Sequence, residues 1–131
     1  MQIKNSIKIL VVDDLDSMRL LVTQFLKRID SVLIVGEAST ADEALIKARE
    51  CSPDVILMDI SLGGSSGIEV TRKIKSLYPN IRIYLLSAYE VEEYRDLKLN
   101  SPGDGFIPKA RMKTELDNMV KKEIERRANS A

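Results

Sequence analysis

Short apolar runs alternate with stretches of helical periodicity along the whole chain. Ile7 to Val12 is the first run, after which Met18, Leu21, Val22, Phe25, Leu26 and Ile29 recur at helical spacing. Val32 to Val35 is the second run. Thr40-Ala41-Asp42-Glu43 follows, a threonine and glutamate at the spacing that satisfies two orphan amides of a helix start, and Ala41, Ala44, Leu45 and Ala48 give that helix a thin apolar face. Val55 to Met58 is the third run. Ser66 and Glu69 repeat the capping spacing before a helix with Val70, Ile74, Leu77 and Tyr78 on one side, broken by Pro79-Asn80. Ile81 to Leu86 is the fourth run, followed by a weaker helical segment from Glu90 to Lys98 and the turn sequence "NSPGDG". Phe106-Ile107 is the fifth, and a last helix carries Met112, Leu116, Met119, Val120 and Ile124 on one face. Five strands alternating with five helices predict an α/β domain with a parallel sheet. The runs are continuous rather than alternating, so helices must cover both faces.

These apolar runs end in polar groups. The first gives way to Asp13-Asp14, the third to Asp59, the fourth to Ser87 and the fifth to Lys109. Ligands of such sheets bind at the carboxyl ends of the strands, so these side chains are expected to converge on one rim.

Composition narrows the chemistry. The 131 residues fit one domain, with a core of about 7–125 and a frayed tail at 126–131 as the expectation. Twenty basic and twenty acidic residues cancel, so the overall field favours neither nucleic acid nor a basic partner. Cys51 stands alone, Met1 to Ser6 shows no signal-peptide pattern, and no stretch approaches the roughly 18 apolar residues of a membrane span. A cytoplasmic protein is expected. The sequence contains no histidine, which excludes Ser/His/Asp triads, Cys/His pairs and His-liganded metals within the chain.

Three carboxylates gathered on one rim repel one another unless a cation intervenes. The available donors are hard oxygens, which suit Mg²⁺ or Mn²⁺ and not Zn²⁺. A metal, a lysine and a hydroxyl around one carboxylate describe a site for phosphoryl transfer with the carboxylate as nucleophile. Each residue also has a plainer reading. Asp13 and Asp14 could cap the first helix beside Asp16, Ser87 could cap the Glu90 helix, Lys109 could be a solvated lysine, and Phe106 could be core. The final helix interleaves its basic residues with Glu115, Asp117, Glu123 and Glu125, which reads as a solvated face. Cys51 reads as inert.

Together, "ILVVDD", "PDVILMDI", Gly67 after the Asp59 loop, "LLSA" and "GFIPKA" resemble the receiver domains of two-component response regulators, the CheY-like domains, from about Ile7 to Ile124. The resemblance implies a flavodoxin/CheY-like (βα)5 fold with a five-stranded, doubly wound parallel sheet in strand order 2-1-3-4-5. It implies that Asp59 accepts a phosphoryl group from a histidine kinase or phosphotransfer protein. It further implies Mg²⁺ (or Mn²⁺) bound directly by Asp14, through water by Asp13, and by Asp59 and the backbone carbonyl of Ser61. Lys109 matches the lysine that pairs with the phosphoryl group, Ser87 the switch hydroxyl and Phe106 the aromatic switch. Ser61 and Tyr89 match the positions that set the phosphoryl lifetime. Such a domain catalyses only its own phosphorylation and dephosphorylation, and is not otherwise an enzyme. Its output is contact with a downstream protein or a second copy of the chain through residues 90–98, 105–108 and 112–124, with no direct contact to nucleic acid or membrane.

The sequence departs from the family pattern in places. Gly63 stands where proline is usual, which predicts a more mobile "SLGGSSG" loop. Pro108 precedes Lys109 and Ala110 follows it, so the usual proline after the lysine is absent. "KLNSPGDGF" lacks the Ala-Gly-Ala pattern before the fifth strand. "VGEASTADEALIKA" resembles regulators with a helix-turn-helix output, so an alternative is the receiver of a longer DNA-binding regulator. Asp14-Leu15-Asp16 also resembles the nucleophile motif of haloacid-dehalogenase-type phosphatases, a reading that uses Asp14 and leaves Asp59 idle.

Overall fold

The structure is a computed structural model describing residues 6–88 and 102–129. Its elements are β1 (Ile7–Val12), α1 (Asp16–Lys27), β2 (Val32–Ala38), α2 (Ala41–Cys51), β3 (Val55–Asp59), β4 (Ser61–Leu62), β5 (Ser65–Ser66), α3 (Gly67–Leu77), β6 (Arg82–Ser87), β7 (Gly105–Pro108), a 3-10 turn at Lys109–Arg111, and a final helix, Met112–Asn129. The expected helix at 90–98 lies outside the described residues.

The main sheet has the order β2-β1-β3-β6-β7, and every pairing in it is parallel. With the short antiparallel ladder β4–β5 set aside, this is the expected order 2-1-3-4-5. Successive residues of a strand point to opposite faces, and β1 supplies both cores in this way. Ile7, Ile9 and Val11 pack with Val22, Leu26, Leu116, Met119 and Val120. Leu10 and Val12 pack with Ala44, Ala48, Val70 and Ile74. A fully buried side chain of the Leu or Ile kind contributes about 1.5–3 kcal/mol. The sheet is therefore held from both sides, and only its ends can host a site.

The helix starts follow local chemistry. Thr40 Oγ1 accepts from Glu43 N at 3.1 Å, while Glu43 Oε1 accepts from Ser39 N at 2.7 Å, one residue before the expected partner. Ser66 Oγ accepts from Ile68 N at 3.2 Å. The helix α1 starts after Leu15 with no side-chain cap.

Two expectations about the carboxyl-terminal helix are corrected. Residues 126–129, expected to fray, continue the helix because Arg127 pairs with Asp54 at 2.8 Å and donates to Ser6 O at 3.2 Å. Glu123, expected on a solvated face, is 4% exposed. It accepts from Arg82 Nε at 3.1 Å and from the Tyr84 hydroxyl, and pairs with Arg126 at 3.3 Å. The unusual turn before β7 has its own anchor. Asp104 accepts from Ile83 N at 2.8 Å and pairs with Arg82 and Lys75, each at 3.0 Å. Gly105 is required beside it, since a Cβ there would stand 2.7 Å from the Tyr84 ring.

Candidate functional site

Three strand ends meet at the carboxyl rim. At the end of β1, Asp13 is fully buried and Asp14 is exposed. Asp13 N donates to Ala38 O at 3.1 Å, which continues the β1–β2 pairing one residue past the strand. Its Oδ1 accepts from Leu15 N at 3.0 Å. Asp13 Oδ2 is buried and has no hydrogen-bond partner among the described residues.

At the end of β3, Asp59 is 6% exposed and its Oδ1 accepts from Ser61 N at 3.2 Å. The chain turns back so closely that a Cβ on Gly67 would lie 1.9 Å from the Asp59 carbonyl oxygen. Only glycine fits there. The intervening hairpin places Gly63 at φ 58°, in the left-handed region that favours glycine, with Asp14 Oδ2 3.5 Å from where its Cβ would be. The segment expected to be mobile thus forms the β4–β5 ladder.

After β7, Lys109 reaches back over both acids. Its Nζ lies 3.3 Å from Asp59 Oδ1 and 3.5 Å from Asp13 Oδ2. One ammonium does not balance the rim. Burial, and then the Asp13 carboxylate beside it, pushes the Asp59 carboxyl up to about 6, and Lys109 and the Ser61 amide offset this only in part. A cleft of about 430 Å³ opens above, lined by Asp14, Asp59, Ser61, Leu86, Ala88 and Lys109 among others.

Carboxylate oxygens of Asp13, Asp14 and Asp59 lie within 4.8 Å of one another. A buried carboxylate oxygen without a hydrogen bond, facing two more acids across hard-oxygen donors, fits a divalent cation of the Mg²⁺ class.

The other expected residues fall as follows. Ser87 is 1% exposed at the end of β6, one residue past Leu86, the strand partner of Asp59. Phe106 is half-buried on β7, opposite Leu85, and packs against the α2–α3 side of the sheet. Ser61 is exposed on β4 and lines the cleft. Tyr89 lies outside the described residues. Asp16 is not part of the acid cluster, and its side chain, 91% exposed, pairs with Arg19. Sequence reading missed Arg19, whose Nη1 donates to the Asp13 carbonyl at 2.7 Å. A basic residue three positions after Asp16 on a short helix was the available signal.

The family profile of the response regulator receiver domain matches residues 9–121. The response regulator GacA of Pseudomonas syringae pv. syringae is 39% identical over 103 residues, covering 79% of this chain and 48% of that protein. Response regulator protein VraR of Staphylococcus epidermidis is 33% identical over 122 residues, covering 92% and 57% respectively. The chain thus spans about half the length of the curated relatives it matches. Among solved structures, a two-component response regulator of the LuxR family from Aurantimonas sp. superposes with a TM-score of 0.82 at 27% identity, covering 92% of this chain and 86% of the other. A CheY-like response regulator receiver domain protein from Methanospirillum hungatei gives 0.81 at 25% identity, covering 96% and 99%.

Proposed function

Because the chain belongs to the response regulator receiver domain family, we propose that it is a phosphorylation switch whose phosphoacceptor is Asp59. The observation that carries this reading is the rim itself. Three acids gather within 4.8 Å, and one of them has Lys109 Nζ at 3.3 Å and opens into a cleft.

An oxygen of Asp59 attacks the phosphorus of a phosphohistidine on a partner protein. The O–P bond forms as the P–N bond breaks, the electron pair stays on the imidazole nitrogen, and that nitrogen takes up a proton. Lys109 pairs with the phosphoryl oxygens as they arrive. Asp13, Asp14, Asp59 and the Ser61 carbonyl would hold Mg²⁺ or Mn²⁺, which supplies neutralisation of the charge on those oxygens. Attack by water on phosphorus returns the carboxylate and releases inorganic phosphate, at a rate tuned from the Ser61 and Tyr89 positions. The Ser87 hydroxyl turns toward a phosphoryl oxygen, and the Phe106 ring follows into the space it leaves. Phe106 has no hydroxyl to satisfy, so the inward state is populated before phosphorylation and the donor shifts an existing equilibrium. The surface carrying Phe106 and the final helix then meets a protein partner or a second copy of the chain.

Acetyl phosphate with Mg²⁺ is expected to add one acid-stable, base-labile phosphoryl group, read by intact mass. Asp59→Asn abolishes it and Asp16→Asn does not. A label that persists in the Asp59 variant and maps to Asp14 would favour the phosphatase-like chemistry instead. The length of the matched relatives favours a second arrangement, a receiver joined to a further domain, and the likeness of residues 35–48 to regulators with a helix-turn-helix output would make that domain a DNA-binding one. Reading the gene beyond the codon for Ala131 tests it.

A further inference from the structure

We propose that Arg19 is the positioning residue of the acid pair at the end of β1, an inference that rests on the metal-binding reading of that pair. β1 stops at Val12 and its pairing with β2 ends at the Asp13 N–H, so among the described residues no strand neighbour is left to fix the Asp13–Asp14 peptide. Three of the four polar atoms of Asp13 are nevertheless held. Its N–H donates to Ala38 O, its Oδ1 accepts from Leu15 N, and its carbonyl accepts from Arg19 Nη1 at 2.7 Å. The remaining atom, Oδ2, is the buried one that has no hydrogen bond among the described residues and lies 3.5 Å from Lys109 Nζ. The carbonyl bond orients the Asp13–Asp14 peptide plane, and with it the direction in which the Asp14 side chain leaves the turn.

Arg19 is built to hold that plane. Its side chain is 17% exposed, its Nη2 pairs with Asp16 in the first turn of α1, and its Nε lies 3.4 Å from Glu37 Oε1 on β2. The planar guanidinium thus spans three elements with donors in fixed directions, which a lysine ammonium cannot reproduce. Arg19 touches no reacting atom. It acts through the acids that would ligate the cation, as groups outside a metal's ligand shell commonly do.

The alternative is that Arg19 is merely a nearby charge, and the two roles predict opposite signs. A positive charge beside a cation site weakens cation binding, so its removal alone would tighten Mg²⁺ binding. Loss of positioning would loosen it.

The experiment is calorimetric titration of the metal-free full chain with MgCl₂, for wild type, Arg19→Met, Arg19→Lys and Asp14→Ala. Arg19→Met is expected to bind about tenfold more weakly. Arg19→Lys, which keeps the charge, is expected to bind about threefold more weakly. Amide signals of Asp14 and Leu15 in the metal-free Arg19 variants should move while those of the β3 core stay. Equal or tighter binding by Arg19→Met, with Asp14→Ala impaired, overturns this inference and leaves the metal site standing. Should Arg19→Met fail to fold, wild-type affinity in Arg19→Lys overturns it equally. Wild-type affinity in Asp14→Ala, or no binding by wild type, overturns the metal site and this inference with it.

Discussion

The sheet carries a cluster of buried charge at each end, and the two are built on opposite terms. At the amino end of β6, the acids Asp104 and Glu123 meet Lys75, Arg82 and Arg126, with the Tyr84 hydroxyl as a further donor. Each of those acids is paired. At the carboxyl rim, Asp13, Asp14 and Asp59 gather, Lys109 pairs with Asp13 and Asp59, and a buried oxygen has no hydrogen bond among the described residues. A buried ionic cluster that is fully satisfied ties elements together. One that is short of positive charge waits for something to bind. Excess acid, rather than the presence of acid, separates the site from the scaffold.

The largest expected effect of breaking this comparison is at the satisfied end. Glu123→Ala leaves the Tyr84 hydroxyl without its acceptor and Arg82 with Asp104 alone, and loss of these two bonds to a charged group is expected to destabilise the fold by about 3–5 kcal/mol in chemical denaturation. A cost under about 1 kcal/mol would make that cluster a surface feature.

Next is the addition of one carbon at the rim. Gly67→Ala places a Cβ against the Asp59 carbonyl, and a loss of about 1–3 kcal/mol is expected, together with slower phosphorylation as Asp59 is displaced.

Removing charge at the rim has the opposite sign. The raised carboxyl of Asp59 means that the folded state prefers its proton. Its favourable contribution is complete below the unfolded value of 3.8 and is lost as pH rises through about 6. Metal-free Asp59→Asn is therefore expected to exceed wild type at pH 7 by about 1–3 kcal/mol, with the advantage vanishing in acid and shrinking when Mg²⁺ is added. Equal melting temperatures at neutral pH in EDTA would show that the rim is already balanced.

The smallest effect returns to the other end. Burial, followed by the Glu123 carboxylate, pushes the Tyr84 hydroxyl up to about 12. Tyr84→Phe loses a bond to a charged group worth about 1.5–3 kcal/mol, but the phenyl ring has no hydroxyl to desolvate, so a net loss of about 1 kcal/mol is expected at neutral pH. Wild type holds that advantage below 10 and loses it as pH rises through about 12, so the two unfolding curves converge in alkali.

Much of the fold was legible because continuous apolar strands leave no choice but helices on both faces. The rim was legible for a related reason. A polar residue that ends a buried strand falls at a fixed end of the sheet, which brings Asp13, Asp59 and Lys109 together without knowledge of any contact. Glu123 was not legible. On a helix rich in alternating charges its pattern is that of solvent, and its burial depends on Arg82 and Tyr84 from a strand 41 and 39 positions away. Arg19 escaped for a similar reason, since its bond is to a backbone carbonyl that sequence cannot distinguish from any other. Residues 126–129 of the expected tail are helical because helix length is set here by a tertiary clasp on Asp54 rather than by propensity.

That clasp has a consequence for how the chain can be rewired. Asp54 accepts from Lys8 N at 2.8 Å as well as from Arg127, and Arg127 also reaches Ser6 O. The first strand and the last helical turn are therefore neighbours at the pole opposite the rim. A short peptide joining Ser6 to Asn129 would lie far from the acids, and new ends could be opened between Gly63 and Gly64, where a Cβ on Gly64 would meet nothing within 4 Å. Such a circular permutant should keep its sheet order while the hairpin that follows Asp59 is cut. It would separate the work of that loop from the work of the scaffold beneath it.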